Sequence, residues 1–311
     1  MKPKLSRRRF LSISAAAVAL PPSALAEIPT AKWRGTALGA KASMTLAGLE
    51  AAAAQDIFSA VQSEVARLES IFSLYQEESA LVRLNRTGVL EAPPAELLEV
   101  LSQSDTLYRV TERAFDPTVQ PLWHLYAQRA AEGKKPSQKE LSQVQQRTGW
   151  ARLRYSAKSI SFERAGMGLT FNGIAQGYIA DKVAALLRAQ GLRQVLIDMG
   201  EIAAVGRHPD GRPWQVGIAA PGNEVLRQLP LEDRALATSA PRGTLLDRKG
   251  RVGHILDPRN GQIADSWNLV SVSAERAAIA DGLSTACCLL SRASIERVLA
   301  TQPGAKLEAL V

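Results

Sequence analysis

The stretch Gln194-Val195-Leu196-Ile197-Asp198-Met199-Gly200-Glu201-Ile202-Ala203-Ala204-Val205 decides the fold of this chain. Its composition predicts two short strands, 194–198 and 203–205. Turn signals such as Asp210-Gly211 follow, and they separate further predicted strands at 214–218, 235–239 and 269–273. Because consecutive strands joined by turns pair antiparallel, this half of the chain is expected to form an antiparallel sheet.

The residues before this stretch have a different pattern. Hydrophobic residues recur at helical spacing over 49–72 and over 175–190, where Gly191 ends the pattern. Further helices are predicted over 95–112, 117–131 and 137–147. Helices grouped away from an antiparallel sheet indicate an α+β fold with a largely helical N-terminal half, and we expect one domain over 27–311.

The remaining segments are shorter. Residues 27–46 are expected to form a pair of strands, and 73–85 an irregular segment with side chains available for ligand contacts. Short strands are also predicted at 152–155, 159–163 and 169–171, and a hairpin that turns through 247–250 and leads to 254–256.

The N-terminus has the features of an export signal. Ser6-Arg7-Arg8-Arg9-Phe10-Leu11 is a twin-arginine pattern, an apolar stretch follows over 13–20, and Ala24-Leu25-Ala26 supplies a cleavage site. The apolar stretch is too short to span a bilayer as a stable helix. We therefore expect residues 1–26 to be removed, and the protein to be periplasmic, exported by the twin-arginine pathway and not membrane-spanning.

The charge of the chain does not indicate a nucleic-acid partner. It has 38 Lys and Arg against 30 Asp and Glu, a net charge of +8. Five of the basic residues and none of the acidic ones lie in residues 1–26, so the remainder carries 33 against 30, or +3. A balance this small gives no reason to expect nucleic acid. Cys287 and Cys288 are adjacent in an apolar helical pattern and are expected to be buried and unpaired.

Two segments near the C-terminus contain the residue types of a catalytic site: Gly253-His254-Ile255-Leu256-Asp257-Pro258 and Ala280-Asp281-Gly282-Leu283-Ser284-Thr285. Asp281 and Thr285 are one helical turn apart, so a carboxylate and a hydroxyl project from the same face. Hard oxygen ligands of this kind suit Mg²⁺, which takes the rest of its shell from water and substrate phosphates. Taken alone, such a pair is more often a cap or part of a solvated helix face.

A glycine-rich turn precedes the predicted helix 175–190, in the sequence Leu169-Thr170-Phe171-Asn172-Gly173-Ile174-Ala175-Gln176-Gly177-Tyr178. Its glycines let the backbone approach a ligand, and a helix N-terminus favours an anion, although an ordinary strand-to-helix turn has the same composition. Gly166-Met167-Gly168 is not a dinucleotide fingerprint, because Phe171 stands where its third glycine belongs. Upstream, Asp116-Pro117 is typical of a helix start; alternatively, Phe115 beside it covers a flat aromatic ring.

Seven motifs in order resemble the ApbE family of FAD:protein FMN transferases across essentially all of 27–311. They are Phe72–Tyr75, Ser79–Asn85, Ala114–Pro117, Asn172–Tyr178, Ala237–Ser239, His254–Pro258 and Ala280–Thr285. The resemblance implies a T-fold-like α+β core and a Mg²⁺-dependent enzyme. Such an enzyme splits the diphosphate of FAD, attaches FMN to a Thr or Ser hydroxyl of a target protein and releases AMP.

The resemblance also implies site residues. The metal is expected at the Ala175 carbonyl, Asp281 and Thr285. Flavin and adenine contacts are expected from Leu38, Tyr75, Ala114, Phe115, Asp116, Asn172, Tyr178, His254, Ile255 and Ser284. The candidates for the catalytic base are His254 and Asp257, and His254 is equally an ordinary strand histidine.

Two departures from the family pattern bear on function. Gln176 replaces a lysine that many members have, and Leu38 replaces a methionine. The sequence Asn-Gly-Ile-Ala-Gln-Gly resembles the NosX branch, which implies an acceptor flavoprotein such as a membrane-bound electron-transfer or NosR-like subunit. Two other readings stay open: an FAD pyrophosphatase, in which water replaces the protein hydroxyl, and a non-catalytic periplasmic flavin carrier.

Overall fold

The computed structural model of the protein describes residues 28–220, 224–247, 250 and 252–311. The predicted export signal lies outside these residues, as do residues 248 and 249 of the hairpin turn predicted through 247–250. Within them, no helix combines the length and the apolar character needed to cross a membrane.

The described residues form eight α-helices, two single-turn 3₁₀ helices and twelve strands. The α-helices are α1 (Gln55–Phe72), α2 (Ala80–Thr87), α3 (Ala95–Val110), α4 (Gln120–Ala131), α5 (Gln138–Gln145), α6 (Ala175–Ala189), α7 (Ala277–Cys287) and α8 (Arg292–Ala300). The strands are β1 (Thr30–Ala37), β2 (Ala40–Ala47), β3 (Val89–Glu91), β4 (Leu153–Tyr155), β5 (Ser159–Phe162), β6 (Val195–Asp198), β7 (Ile202–Val205), β8 (Trp214–Ala219), β9 (Val225–Leu231), β10 (Ala235–Ser239), β11 (Val270–Ala274) and β12 (Lys306–Leu310).

Seven of the described strands form one antiparallel sheet in the order β1-β2-β6-β7-β10-β11-β12. Strands β3, β5 and β4 form a small separate sheet, and β8 pairs with β9 in a two-stranded one. The prediction of an α+β fold with an antiparallel core and a largely helical first half is confirmed.

The large sheet has packing partners on both of its faces. Side chains along each strand alternate between these two faces. In β6, Val195 and Ile197 pack in the main core with α1, α6 and α7, whereas Leu196 packs on the opposite face. There it meets Trp214 and other residues of the hairpin β8–β9. The period of two along the strand therefore fixes which face receives the helices.

The predicted strand 169–171 is wrong, and Asn85 explains why. The Asn85 side-chain amide donates to the Leu169 carbonyl at 2.8 Å, and its oxygen accepts the Leu169 N–H at 2.7 Å. One side chain therefore satisfies both backbone groups that a neighbouring strand would otherwise pair with. Asn85 lies on α2, which occupies part of the segment predicted to be irregular. Ser79 caps that helix by accepting the Val82 N–H at 3.1 Å.

Other predicted boundaries also needed correction. The first long helix starts at Gln55 rather than at 49. The predicted strand 254–256 forms only one isolated bridge, Leu256 to Ile263, and a second bridge just before it joins Leu245 to Gly253. Three strands were not predicted: β3, β9 and β12. Cys287 and Cys288 are buried and unpaired, as expected.

Candidate active site

One cleft brings together most of the residues that the sequence singled out. Its walls include the first turn of α6, one face of α7, the β1–β2 turn and residues of the segments 238–244 and 254–258. Ten predicted site residues line it: Leu38, Tyr75, Ala114, Phe115, Asp116, Asn172, His254, Ile255, Asp281 and Thr285. Four others, Ala175, Tyr178, Asp257 and Ser284, are not among its lining residues.

The apolar side of the cleft is held rigidly. Leu38 sits in the tight β1–β2 turn with a left-handed φ of 49°, and its N–H donates to Glu69 Oε1 of α1 at 2.7 Å. Phe115 also lines the cleft and is almost fully buried. Side chains of this kind can cover a flat aromatic ring.

Asp116, which also lines the cleft, stabilises the neighbouring backbone through hydrogen bonds. Its Oδ1 accepts the Thr118 N–H at 2.8 Å and the Thr118 hydroxyl at 2.6 Å, and its Oδ2 accepts the Trp150 N–H at 3.2 Å. Burial raises the pKa of Asp116, and these hydrogen bonds oppose the rise. The predicted capping role is confirmed, because Asp116 is the N-cap of the 3₁₀ turn Pro117–Val119.

Asp281 and Thr285 face the cleft from successive turns of α7, opposite the glycine turn that opens α6. Gly173 lies so close to Thr285 that a Cβ there would be 2.8 Å from Thr285 Oγ1. Asp281 Oδ2 accepts the Gly177 N–H at 3.2 Å, and its Oδ1 accepts no hydrogen bond from the described residues. Ala175, whose carbonyl was expected to contact the metal, is the first residue of α6 and is buried just behind this wall.

The donors at this point fit a magnesium ion. Among the described residues there is no cluster of three or more His, Cys, Asp or Glu side chains that would hold a metal by protein ligands alone. The buried Asp281 carboxylate and the Thr285 hydroxyl, which both line the cleft, are an incomplete set of hard oxygen donors. Such a set suits Mg²⁺, which keeps water and takes substrate phosphates as ligands.

Sequence reasoning missed a third carboxylate in the cleft, that of Glu201. It is nearly buried and its Oε2 accepts the Thr238 N–H at 3.2 Å. Burial, followed by the nearby charges of Asp281 and Asp198, raises the pKa of Glu201 well above its usual value. Burial likewise raises the pKa of Asp281. The one sequence signal for Glu201 was its position just after the predicted strand 194–198, at the centre of the sheet.

Gln176 also lines the cleft, packed over Gly200. A Cβ at Gly200 would lie 2.3 Å from Gln176 Nε2, and the φ of +97° at Gly200 independently favours glycine. The carboxamide that stands where many family members have a lysine therefore lies against Gly200, and Gln176, Glu201 and Asp281 all line the cleft.

The two candidate bases differ in their surroundings. His254 lines the cleft, and its Nδ1 lies 3.2 Å from the Thr244 carbonyl oxygen. Since a carbonyl only accepts, Nδ1 carries the proton of the neutral ring and Nε2 carries the lone pair. Burial lowers the pKa of His254, so the ring is neutral at pH 7.

The Asp257 carboxylate instead accepts hydrogen bonds from within its own turn. Its Oδ1 accepts the Arg259 backbone N–H and Nε at 2.9 Å, and its Oδ2 accepts Arg259 Nη2 at 2.7 Å. This geometry favours a structural role for Asp257 and leaves His254 as the candidate base.

Tyr178 and Ser284 lie behind the cleft wall. The Tyr178 hydroxyl donates to Glu99 Oε2 at 2.5 Å, and its ring packs edge-on against Phe72. The Ser284 hydroxyl donates to the Asp281 carbonyl at 3.0 Å and lies 2.7 Å from Ser239 Oγ. Both residues therefore support the elements that carry the site, and neither contacts the cleft directly.

Comparison with known proteins agrees with this arrangement. Residues 38–311 match the ApbE family. An FAD:protein FMN transferase of Chlamydia pneumoniae is 30% identical over 70% of this chain and 71% of its own. One from Vibrio cholerae is 30% identical over 72% of each chain. The solved structure of the flavin transferase ApbE from Vibrio cholerae shares the fold, with a TM-score of 0.78 and 23% identity over 90% of this chain and 93% of that one. This chain belongs to the ApbE family.

Proposed function

We propose that this protein is an FAD:protein FMN transferase, which moves FMN from FAD to a Thr or Ser hydroxyl of an acceptor protein and releases AMP. The observation that carries the proposal is the position of Asp281 and Thr285 opposite the glycine turn at Gly173. They line the same cleft as Leu38 and Phe115. Such a cleft offers hard oxygen donors for a phosphate-bound cation beside an apolar surface for a flavin.

The chain's own residues would bind and orient the substrate. Leu38, Tyr75 and Phe115 offer apolar and aromatic surface for the ring systems of FAD. Asp281, Thr285 and the Ala175 carbonyl would hold Mg²⁺, which when bound neutralises charge that develops on the diphosphate. Gln176 offers amide N–H donors without a charge, where many relatives place a lysine.

His254 would hold the proton that the acceptor hydroxyl loses. In the reaction, the hydroxyl oxygen forms a bond to the FMN phosphorus, and the bond from that phosphorus to the bridging oxygen breaks. The bridging oxygen leaves with AMP, and the hydroxyl proton passes to His254 Nε2. A neutral histidine at pH 7 is in the correct form for this step.

We further propose that the protein acts in the periplasm after twin-arginine export, as its N-terminal sequence suggests. Its acceptor would then be a flavoprotein exposed there, such as a membrane-bound electron-transfer subunit of the NosR type. The resemblance to the NosX branch supports this class of partner.

The proposal is tested by incubating the protein with FAD and Mg²⁺, with and without candidate acceptors, and measuring AMP, free FMN and protein-bound FMN. Transfer predicts AMP in amounts equal to protein-bound FMN, and little release without acceptor. Equal amounts of AMP and free FMN, whether or not acceptor is present, would identify a pyrophosphatase. Tight FAD binding with no AMP would identify a carrier.

A further inference from the structure

Helix α7, which carries Asp281 and Thr285, is capped by a different helix. Its own N-cap residue, Arg276, makes no side-chain capping hydrogen bond. Instead Asp181 of α6 accepts the Ala277 N–H at 2.7 Å and the Ala278 N–H at 3.1 Å. These are among the N–H groups that a helix start leaves without a partner, and a carboxylate there also interacts favourably with the helix dipole.

The reverse contact also exists. Helix α6 likewise has no side-chain cap from its N-cap residue, Ile174. Its third residue, Gly177, donates its N–H to Asp281 Oδ2 of α7 at 3.2 Å. The two helices therefore cap each other, each with an aspartate from the other.

Geometry makes these two caps a single unit. Gly177 and Asp181 are one turn apart on α6, and Ala277 and Asp281 are one turn apart on α7. A Cβ at Gly177 would lie 2.3 Å from the Ala277 carbonyl oxygen, so the helices approach backbone to backbone there. The four positions form a closed ring of contacts, which fixes how far α7 can slide or rotate against α6.

We propose that Asp181 is a positioning residue for the cation site, because it fixes Asp281 relative to the start of α6. The inference rests on the proposed function, since it concerns the same cation. Asp181 does not line the cleft, and its charged neighbour on α7's side is Arg276, 3.7 Å away and half exposed. It therefore acts on the site in two ways, through the N–H groups of α7 that it accepts and through its negative charge near Asp281, and Asp181→Asn removes the charge while it keeps one acceptor oxygen.

The test measures cation affinity separately from stability. Mn²⁺ is titrated into wild type, Asp181→Ala, Asp181→Asn and Ser291→Ala in the presence of FAD, with free Mn²⁺ followed by electron paramagnetic resonance. Thermal unfolding is recorded for each variant. Ser291→Ala is the matched control, because Ser291 caps α8 by accepting the Ser294 N–H at 3.3 Å and lies outside the cleft.

Asp181→Ala is expected to lose stability to a similar degree as Ser291→Ala, but to bind Mn²⁺ about tenfold or more weakly, as for loss of a residue that orients a metal ligand. Asp181→Asn keeps one acceptor oxygen and should fall between. Unchanged Mn²⁺ affinity in Asp181→Ala would overturn the inference while leaving the proposed function intact. A wild-type protein that binds no Mn²⁺ with FAD would overturn the proposed cation site and this inference with it.

Discussion

Gly173 and Thr285 are packed so closely that a Cβ at position 173 would lie 2.8 Å from Thr285 Oγ1 and 3.0 Å from its Cγ2. The glycine turn and α7 thus meet where the cation is proposed to bind. The two elements are already in close contact, and only glycine at position 173 permits this distance between the start of α6 and the Thr285 hydroxyl.

Gly173→Ala should therefore disturb the cation site. The added methyl forces Thr285 away from its position, and we expect Mn²⁺ affinity in the presence of FAD to fall about tenfold or more. Overpacking of this kind costs about 1–3 kcal/mol of unfolding free energy. Thr285→Ser is the control, because it keeps the hydroxyl and removes only Cγ2. Wild-type Mn²⁺ affinity in Gly173→Ala would show that Thr285 is not a ligand.

Asp281→Asn should separate activity from stability. The variant keeps the shape of the side chain and an acceptor for the Gly177 N–H, but it loses the charge that the cation needs. We expect transfer to be abolished. Because burial raises the pKa of Asp281, its charged form is unfavourable in the metal-free protein. Thermal unfolding in EDTA at pH 8 should therefore show Asp281→Asn to be at least as stable as wild type. Near-normal AMP release would remove Asp281 from the site.

Asp198 should make the metal-free protein less stable as the pH rises. Burial raises its pKa from 3.8 to about 6, although the Gly200 N–H donates to its Oδ1 at 3.0 Å. Between those values the folded protein binds more protons than the unfolded chain, so the free energy of unfolding falls with increasing pH. At about 1.4 kcal/mol per pKa unit, the loss amounts to about 3 kcal/mol.

The variant Asp198→Asn removes this effect, together with the contribution of the Asp198 charge to the raised pKa of Glu201. It should match wild type near pH 4 and exceed its unfolding free energy by about 3 kcal/mol at pH 7, measured by denaturant titration in EDTA. The pKa of His254 is lowered, which gives a slope of opposite sign, but that contribution is present in both proteins and cancels in the difference. A difference that does not change with pH would contradict the assignment.

His254 should appear in the pH dependence of transfer. Its pKa is lowered from 6.5 by burial, so protonation removes the base only when the pH falls below that value. At saturating Mg²⁺, which would keep Asp281 ionised, we expect kcat/KM to be flat from pH 7 upward and to decline only below about 6.5. His254→Asn should lower the rate about 10²- to 10⁴-fold and abolish this decline. A His254→Asn rate close to that of wild type would exclude His254 as the base.

Much of the fold could be predicted from the sequence because its elements follow clear periodic patterns. Helices α3 and α6 start at the predicted residues, and β10 has the predicted bounds. The failures have local causes. Strand β9 contains Pro230, and its first four residues are all exposed. It therefore lacks the alternation of apolar and polar residues that marks a strand. Residues 169–171 have the sequence of a strand, but the Asn85 side chain hydrogen-bonds to both backbone groups of Leu169.

The candidate site was predictable only where residues belong to a recognisable motif. Asp281 and Thr285 stand one turn apart, and the structure places both in the cleft. Glu201 has no motif, and only the folded sheet brings it beside Asp281. The mutual capping of α6 and α7 is also invisible in the sequence, because Asp181 and Ala277 are 96 residues apart.

The most direct measurement is mass spectrometry of candidate acceptor proteins co-expressed with this chain or with its Asp281→Asn variant. The account predicts an acceptor peptide heavier by one FMN phosphoester on a Thr or Ser with the wild-type chain, and the same peptide unmodified with Asp281→Asn. Acceptors that stay unmodified with the wild-type chain while FAD is cleaved to free FMN and AMP would contradict it.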